Sequence, residues 1–178
     1  MNRIDYTKLH ILGRFNPNTE YTDYFERIGV VTNVAGCDAW VEGENGDDQI
    51  AVEIVSRLNK NRRGYQRVME ITLSKYKDSY HVELARIDSK YQGHGIAPKV
   101  YKYLMRKLGI ILKAGNQQSP GGRYIWAKMA SMAGLDVFAL DGRGNYYDVE
   151  VDDNELVTTS GKIYDDSRRR MHVFAVAG

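Results

Sequence analysis

The chain has almost no cysteine. Cys37 stands alone, so no intramolecular disulfide can form and nothing calls for an oxidising compartment. A catalytic thiol needs a base and an electropositive setting, and Gly36-Cys37-Asp38 offers neither, so Cys37 is expected to be a bystander. Long apolar runs are missing too. Met1 to His10 is mixed and polar, without the apolar stretch of a signal peptide, and no segment approaches the length of a membrane span. The cytoplasm is therefore the expected address, with no membrane partner. A strong charge bias is absent: the formal net charge is +2, which argues against nucleic acid as a partner. Arg62-Arg63 and Arg168-Arg169-Arg170 read as solvated turns. No cluster of Cys, His and Asp has metal-ligand spacing, so no metal is expected, and His10 and His172 read as structural. Neither an internal repeat nor a low-complexity segment is visible.

What remains is ordinary for a globular chain of 178 residues: 43% apolar and 27% charged, enough for one domain, 1–178, with a real core. The first forty residues read poorly, with a strand over Ile4 to Phe15 and a helix over Thr19 to Ile28 as expectations. Val30 to Val34, Asp38 to Val41 and Gln49 to Val55 then read as strands. In the last, Ile50, Val52 and Ile54 alternate with Ala51, Glu53 and Val55. A polar loop over Asn59 to Gly64 precedes an antiparallel pair, Val68 to Leu73 and Tyr80 to Ile87. On the second of these, Val82 and Leu84 face one way, and His81, Glu83 and Ala85 the other.

The period changes at Gly95. Ala97, Val100, Tyr101, Leu104 and Leu108 recur at helical spacing, with Pro98 in the first turn and Gly109 placed to stop the helix. Ile110 to Lys113 is a short buried strand. Ser119 caps a second helix with Pro120 at its first position, Gly134 ends it, and Leu135 to Leu140 is a strand. An acidic loop with Asp148, Glu150, Asp152, Asp153 and Glu155 overlaps the end of a strand over Tyr146 to Val151, and a last strand runs over Met171 to Val176. From Val68 the order is β-β-α-β-α-β and then more strand, a mixed α/β architecture with antiparallel and parallel pairing.

Chemistry concentrates where strand meets helix. Ile87-Asp88-Ser89-Lys90-Tyr91-Gln92-Gly93-His94-Gly95-Ile96-Ala97 is a strand end, a glycine-bearing turn and a helix start. The first N–H groups of a helix lack intrahelical partners, and together with the helix dipole they suit an anion. Gly93 and Gly95 remove side chains, so a diphosphate can approach the backbone. Lys90, His94 or Lys99 can add positive charge. Two glycines at a helix start also make an ordinary tight turn. The Walker pattern and the dinucleotide fingerprint are both absent.

Gln92-Gly93-His94-Gly95-Ile96-Ala97 resembles the signature of the GNAT superfamily of N-acetyltransferases, Arg/Gln-x-x-Gly-x-Gly/Ala, at every fixed position. The similarity covers 64–140 and leaves 1–63 divergent. The run from Ile111 to Ala130 looks like members encoded by bacteriophages. The resemblance implies a GNAT-like fold with a central splayed mixed sheet, and acetyl-CoA as cofactor. It implies that the backbone of Gln92, Gly93, His94, Gly95, Ile96 and Ala97 holds the pyrophosphate. The strand end from Ala85 to Asp88, Ile87 included, would pair with the pantetheine arm, Asn116, Gln117 and Ser119 would lie by its far part, and Trp126 would be a further cofactor contact. The thioester would sit in the gap where the sheet splays.

The resemblance further implies direct acetyl transfer to an amine, which needs a base and an acid for the leaving thiolate. Glu83 and His81 are the candidate bases, and a polar pair on a solvated sheet face is the alternative. The family's helix tyrosine falls on Ala130 by direct count back from Gly134, or on Trp126 if the helix carries one extra turn, and an indole N–H is no acid at neutral pH, so the usual acid is missing or relocated. Trp126 also suits a core, and Ser119 suits a helix cap. Two functions stay open. One is an N-acetyltransferase for an amine on a small molecule or a protein. The other is a GNAT-shaped chain, with phage style, that binds a host protein and does little chemistry. A homodimer is compatible with either.

Overall fold

In the computed structural model, the described residues are 26–31, 37–43, 46–61, 64–116, 118–159, 161–164 and 171–178. The expected strand at Ile4 to Phe15, His10, Arg62-Arg63, Gln117 and Arg168 to Arg170 lie outside them. The strands are β1 (Glu26–Val31), β2 (Cys37–Glu42), β3 (Gln49–Asn61), β4 (Gly64–Tyr76) and β5 (Ser79–Ile87). After a 3-10 turn over Ser89–Tyr91 come α1 (Ile96–Leu108), β6 (Leu112–Lys113), α2 (Pro120–Ala130) and β7 (Leu135–Leu140). The chain continues through β8 (Tyr146–Asp148), β9 (Glu150–Asp152), β10 (Glu155–Thr158), β11 (Gly161–Lys162) and β12 (His172–Ala177). The architecture is mixed α/β, many strands with two α-helices among the described residues.

The chain divides into two compact units, Met1–Thr72 with Leu84–Ile96, and Leu73–Glu83 with Ala97–Gly178. Strands β4 and β5 each contribute a stretch to either unit.

In the first unit the strand order is β1-β2-β3-β4-β5. The pair β2/β3 is antiparallel, with Ala39 opposite Ile54 and Val41 opposite Val52. These residues, together with Ile50, Val68 and Ile71, are buried. Cys37 is buried as well, and burial with Asp38 alongside pushes its thiol up to about 11, an inert setting. The helix expected over Thr19 to Ile28 is contradicted at its end, because Glu26 to Ile28 belong to β1. Loop residues expected from Asn59 are strand: β3 runs to Asn61 and β4 starts at Gly64. Polar side chains weaken the propensity signal, but an antiparallel ladder satisfies the backbone whatever the side chains are.

In the second unit the order is β4-β5-β6-β12-β7-β8, with β10 central in a separate three-stranded sheet, β11-β10-β9. Helical spacing placed the core well. Ala97, Val100, Tyr101 and Leu104 of α1 are buried, joined by Met105, and so are Trp126, Ala127 and Met129 of α2. The rings of Tyr101 and Trp126 lie 6.2 Å apart. Strand alternation adds Val137 and Ala139 from β7. Ser119 caps α2 by accepting from the Gly122 N–H at 3.1 Å, with Pro120 at the first position. The helix stops at Ala130, four residues before Gly134, and Gly134 then turns the chain into β7 at φ +71°.

The acidic loop expected over Asp148 to Glu155 is instead strand. Asp153 and Asn154 sit at φ +47° and +63°, the primed two-residue turn that matches strand twist, and they join β9 to β10. Lys162 Nζ, 2.8 Å from Glu155, offsets part of the acidity across β10 and β11. The single strand expected from Tyr146 to Val151 is split into β8 and β9 at Val149.

Candidate functional site

The strand-to-helix turn lies in the first unit. Asp88 opens it: its N–H donates to the Val68 carbonyl at 3.0 Å and its carboxylate accepts from the Lys90 N–H at 3.0 Å. The Tyr91 N–H returns to the Asp88 carbonyl at 2.8 Å, which closes the 3-10 turn. Gln92 then reaches back, its Nε2 donating to the Ile87 carbonyl at 3.1 Å. That bond ties the turn to the strand end by a side chain, so the fixed Gln of the motif has a mechanical task here.

Beyond Gln92 the backbone turns left-handed twice. Gly93 has φ +77° and Gly95 φ +66°, the region where a side chain costs about 1–2 kcal/mol. A Cβ built on either glycine meets nothing within 4 Å. Gly93, His94 and Gly95 are exposed, and among the described residues their N–H groups donate to no protein acceptor. The side chains of Ile96 and Ala97 are buried at the start of α1.

A second group of candidate side chains lies in the second unit, around the two-residue contact of β5 with β6. Their parallel pairing runs Tyr80 to Leu112 and His81 to Lys113. Just beyond it, Gly115 approaches β5 so closely that a Cβ there would lie 3.0 Å from the Val82 carbonyl oxygen and 3.7 Å from His81 Nε2. Side-chain alternation on β5 came out as expected: Tyr80 and Val82 are buried, while His81 is half-buried and Glu83 exposed.

Glu83 accepts from Ser74 Oγ at 2.6 Å and stands 3.4 Å from His81 Nδ1. His81 Nε2 is buried and has no hydrogen-bond partner. Burial lowers the His81 pKa, and the Lys113 charge lowers it further, against a smaller opposing pull from Glu83. Lys113 is 1% exposed. Its ammonium lies 4.4 Å from the centre of the Tyr76 ring and donates to Asn116 Oδ1 at 3.3 Å. Burial lowers its pKa, partly countered by Glu83. Tyr76 also faces His172, ring to ring at 6.3 Å.

Sequence reasoning named His81 and Glu83 and missed Lys113, Ser74 and Tyr76. A signal for Lys113 was present, since it is the lone charge in the run Ile110-Ile111-Leu112-Lys113. Nothing local marks Ser74 or Tyr76, which reach the group only through strand pairing. Asn116 is exposed and engaged with Lys113, and Ser119 is the cap of α2. Trp126 is 2% exposed, which fits the core reading of that residue rather than the cofactor reading. Tyr124, by contrast, is an exposed ring under Lys128.

The first unit holds one further group that the sequence did not announce. Arg67 bridges Glu53 at 2.7 Å and Glu70 at 2.8 Å, with both carboxylates buried. Burial pushes Glu53 up to about 8, with Arg67 opposing and Glu70 adding to the rise. Among the described residues no set of His, Cys, Asp and Glu could hold a metal, and no helix is long and apolar enough to cross a membrane.

Neither a protein-family model nor a curated protein matches the chain. Among solved structures it is similar to a protein from Bacteroides thetaiotaomicron described as an acetyltransferase of the GNAT family. That similarity has 10% identity over 99% of this chain and 86% of that one, at a TM-score of 0.37. At that score the likeness carries no argument about this chain.

Proposed function

We propose that the chain is an acetyl-CoA-dependent N-acetyltransferase that transfers directly to an amine. The observation that carries this reading is the run of exposed residues Gly93, His94 and Gly95, whose N–H groups donate to no protein acceptor among the described residues, in a turn that fits the GNAT signature. Left-handed glycines turn successive amides outward, and such concavities suit phosphate oxygens. The turn, pinned by Gln92 to Ile87, holds the diphosphate. The group on β5 and β6, with Glu83 and His81, handles the acyl end.

Acetyl-CoA would supply the activated thioester, and the chain's own residues would bind it, orient it and accept a proton. A thiolate is a tolerable leaving group, so the missing helix tyrosine slows the reaction without forbidding it. That same absence favours a second reading, in which a GNAT-shaped chain binds a protein partner and does little chemistry. The buried Trp126 offers no acid in the tyrosine's place.

Thermal melting with CoA and acetyl-CoA tests the cofactor, and thiol release over a panel of primary amines and lysine peptides tests transfer. Cofactor at ~100 times its dissociation constant adds about 2.7 kcal/mol of stability. No shift at millimolar CoA removes the cofactor from this reading. A shift without thiol release moves the balance to the second reading.

A further inference from the structure

An aromatic row on the sheet of the second unit stops at an open edge. Phe174 of β12 stands directly opposite Phe138 of β7, and their rings stack at 5.5 Å. Phe138 stacks in turn with Tyr146 of β8 at 5.3 Å. Exposure rises along the row. Phe174 is buried, Phe138 is half-buried, and Tyr146 is 54% exposed, the most exposed large hydrophobic side chain among the described residues. β8 is the last strand of its sheet, and among the described residues no strand pairs with its outer edge. An unpaired strand edge offers its backbone donors and acceptors to a further strand.

The chemistry around Tyr146 selects the strand that fits. Period two on β7 puts Asp136 and Leu140 on the face of Phe138, opposite Val137 and Ala139. Tyr146 pairs with Leu140 and Asp148 with Phe138, so Tyr146 and Asp148 share that face. The Tyr146 hydroxyl donates to the Asp148 carboxylate, and the Asp136 charge acts on the same hydroxyl. Asp136 and Asp148 are exposed, and among the described residues neither is paired with a cation. Glu150, Asp152 and Asp153 follow along the chain, exposed as well. Lys162, the cation of that small sheet, is engaged with Glu155. An open ring face flanked by two carboxylates is the complement of a lysine ammonium or an arginine guanidinium. Charge on an edge strand also discourages self-pairing, but that protection does not call for an exposed ring among the charges. A second copy of the chain fits poorly here. Its own Asp148 and Glu150 would come alongside, and like charges across paired strands repel.

We propose that the outer edge of β8 takes up an extended basic segment of a partner protein as an added strand, with a Lys or Arg side chain laid against Tyr146, Asp136 and Asp148. Ladder bonds from the added backbone give the affinity, and the carboxylates choose the sign of the partner. Salt weakens the contact, because every charge involved is exposed. The assignment uses neither the glycine-bearing turn nor the group on β5 and β6, so it stands whether or not the chain transfers acetyl groups.

The test uses the full chain and a short fluorescent peptide that alternates lysine with valine. Three companion peptides separate the contributions. In one, glutamate replaces lysine. In the other two, every second amide is N-methylated, one peptide for each parity, which keeps the charge and removes the donors of one edge. The lysine peptide should saturate in an anisotropy titration and weaken as salt is added. The glutamate peptide and at least one N-methylated peptide should fail to bind. Amide hydrogen exchange should show protection gained over Tyr146 to Asp148. Asp148→Lys should bind about tenfold more weakly or worse, since it sets like charges together. Tyr146→Ala should bind about threefold more weakly. Both positions are exposed, and a melting scan checks that the variants stay folded. No binding of the lysine peptide, protection away from β8, equal binding of both N-methylated peptides, or unchanged affinity in Asp148→Lys overturns the proposal. A sedimentation mass of two chains that excludes the peptide makes a second copy the occupant and overturns it too.

Discussion

Replacing Gly95 with alanine separates what the fold asks of that residue from what a ligand asks of it. At φ +66° an alanine pays the left-handed penalty of about 1–2 kcal/mol, but its Cβ enters open space, with no atom of the protein within 4 Å. One kcal/mol moves the midpoint of a domain of this size by about 2–4 °C, so Gly95→Ala should melt about 2–8 °C below wild type. The matching control is Gly109→Ala, at φ +63° and equally open, which carries the same conformational cost away from the turn. Both variants should therefore lose similar stability when apo. They should part company in ligand. Wild type and Gly109→Ala should gain about 2.7 kcal/mol at a CoA concentration ~100 times the dissociation constant. In Gly95→Ala the methyl stands where a phosphate oxygen would approach the amides. A 100-fold loss of affinity cuts that gain to ~0.4 kcal/mol at the same concentration. Differential scanning fluorimetry with a CoA titration reads all three proteins. Equal ligand shifts in Gly95→Ala and Gly109→Ala would refute the diphosphate assignment.

Two other outcomes follow from buried side chains. Trp126→Ala should cost about 3–5 kcal/mol in chemical denaturation, the range for a large aromatic removed from a core. A loss below about 1 kcal/mol would mean that the indole does not pack as its 2% exposure says. Glu53 should make stability fall as pH rises. Its folded pKa, pushed up to about 8, exceeds its ordinary value of 4.5, so its contribution is complete below about 4.5 and is lost as pH climbs through about 8. Urea midpoints at intervals from pH 5 to 8.5 should decline in wild type and flatten in Glu53→Gln. Parallel curves would show that Arg67 already keeps the carboxylate ionised.

How much of this the sequence carried depends on the range of the forces involved. The helices were legible because their signals are local. Ser119-Pro120 is a cap followed by a residue that suits the first turn, and Ala97, Val100, Tyr101 and Leu104 repeat at the helical period. β7 was legible from simple alternation. The sheet of β9, β10 and β11 was not, because its strands are two to four residues long and mostly exposed. The one readable mark was the turn, Asp153-Asn154, and it was submerged in acidic neighbours. β3 and β4 came out longer than their apolar stretches, since ladder bonds involve the backbone and do not stop with the apolar pattern. At the second group, His81 and Glu83 share a face by strand period, so they could be named together. Lys113 and Ser74 come from other strands, and no spacing in one dimension brings them alongside.

The glycines show why a short motif is weak as a string and stronger as geometry. One glycine in this chain is plainly dictated by the fold. A Cβ at Gly43 would run into the Gln49 carbonyl at 2.7 Å, a backbone atom. No ligand is needed to account for it. Gly93 and Gly95 are not crowded, so sterics against the protein do not demand them. Positive φ alone does not set them apart either, because Gly144 shares it at +84° with open space around it. The difference is in the amides. The Gly144 N–H donates to the Asp141 carbonyl at 2.9 Å and thereby completes a local turn. At Gly93, His94 and Gly95 three consecutive N–H groups complete nothing within the described protein. Water can satisfy them, as it does many exposed amides. Yet three in a row, in a turn with two left-handed glycines that Gln92 bonds to the strand behind it, form a set of donors of the kind an anion site uses. Such order costs a free chain conformational entropy. In this chain that cost is met by bonds around the turn and leaves the donors themselves available, which is the condition an anion site has to satisfy.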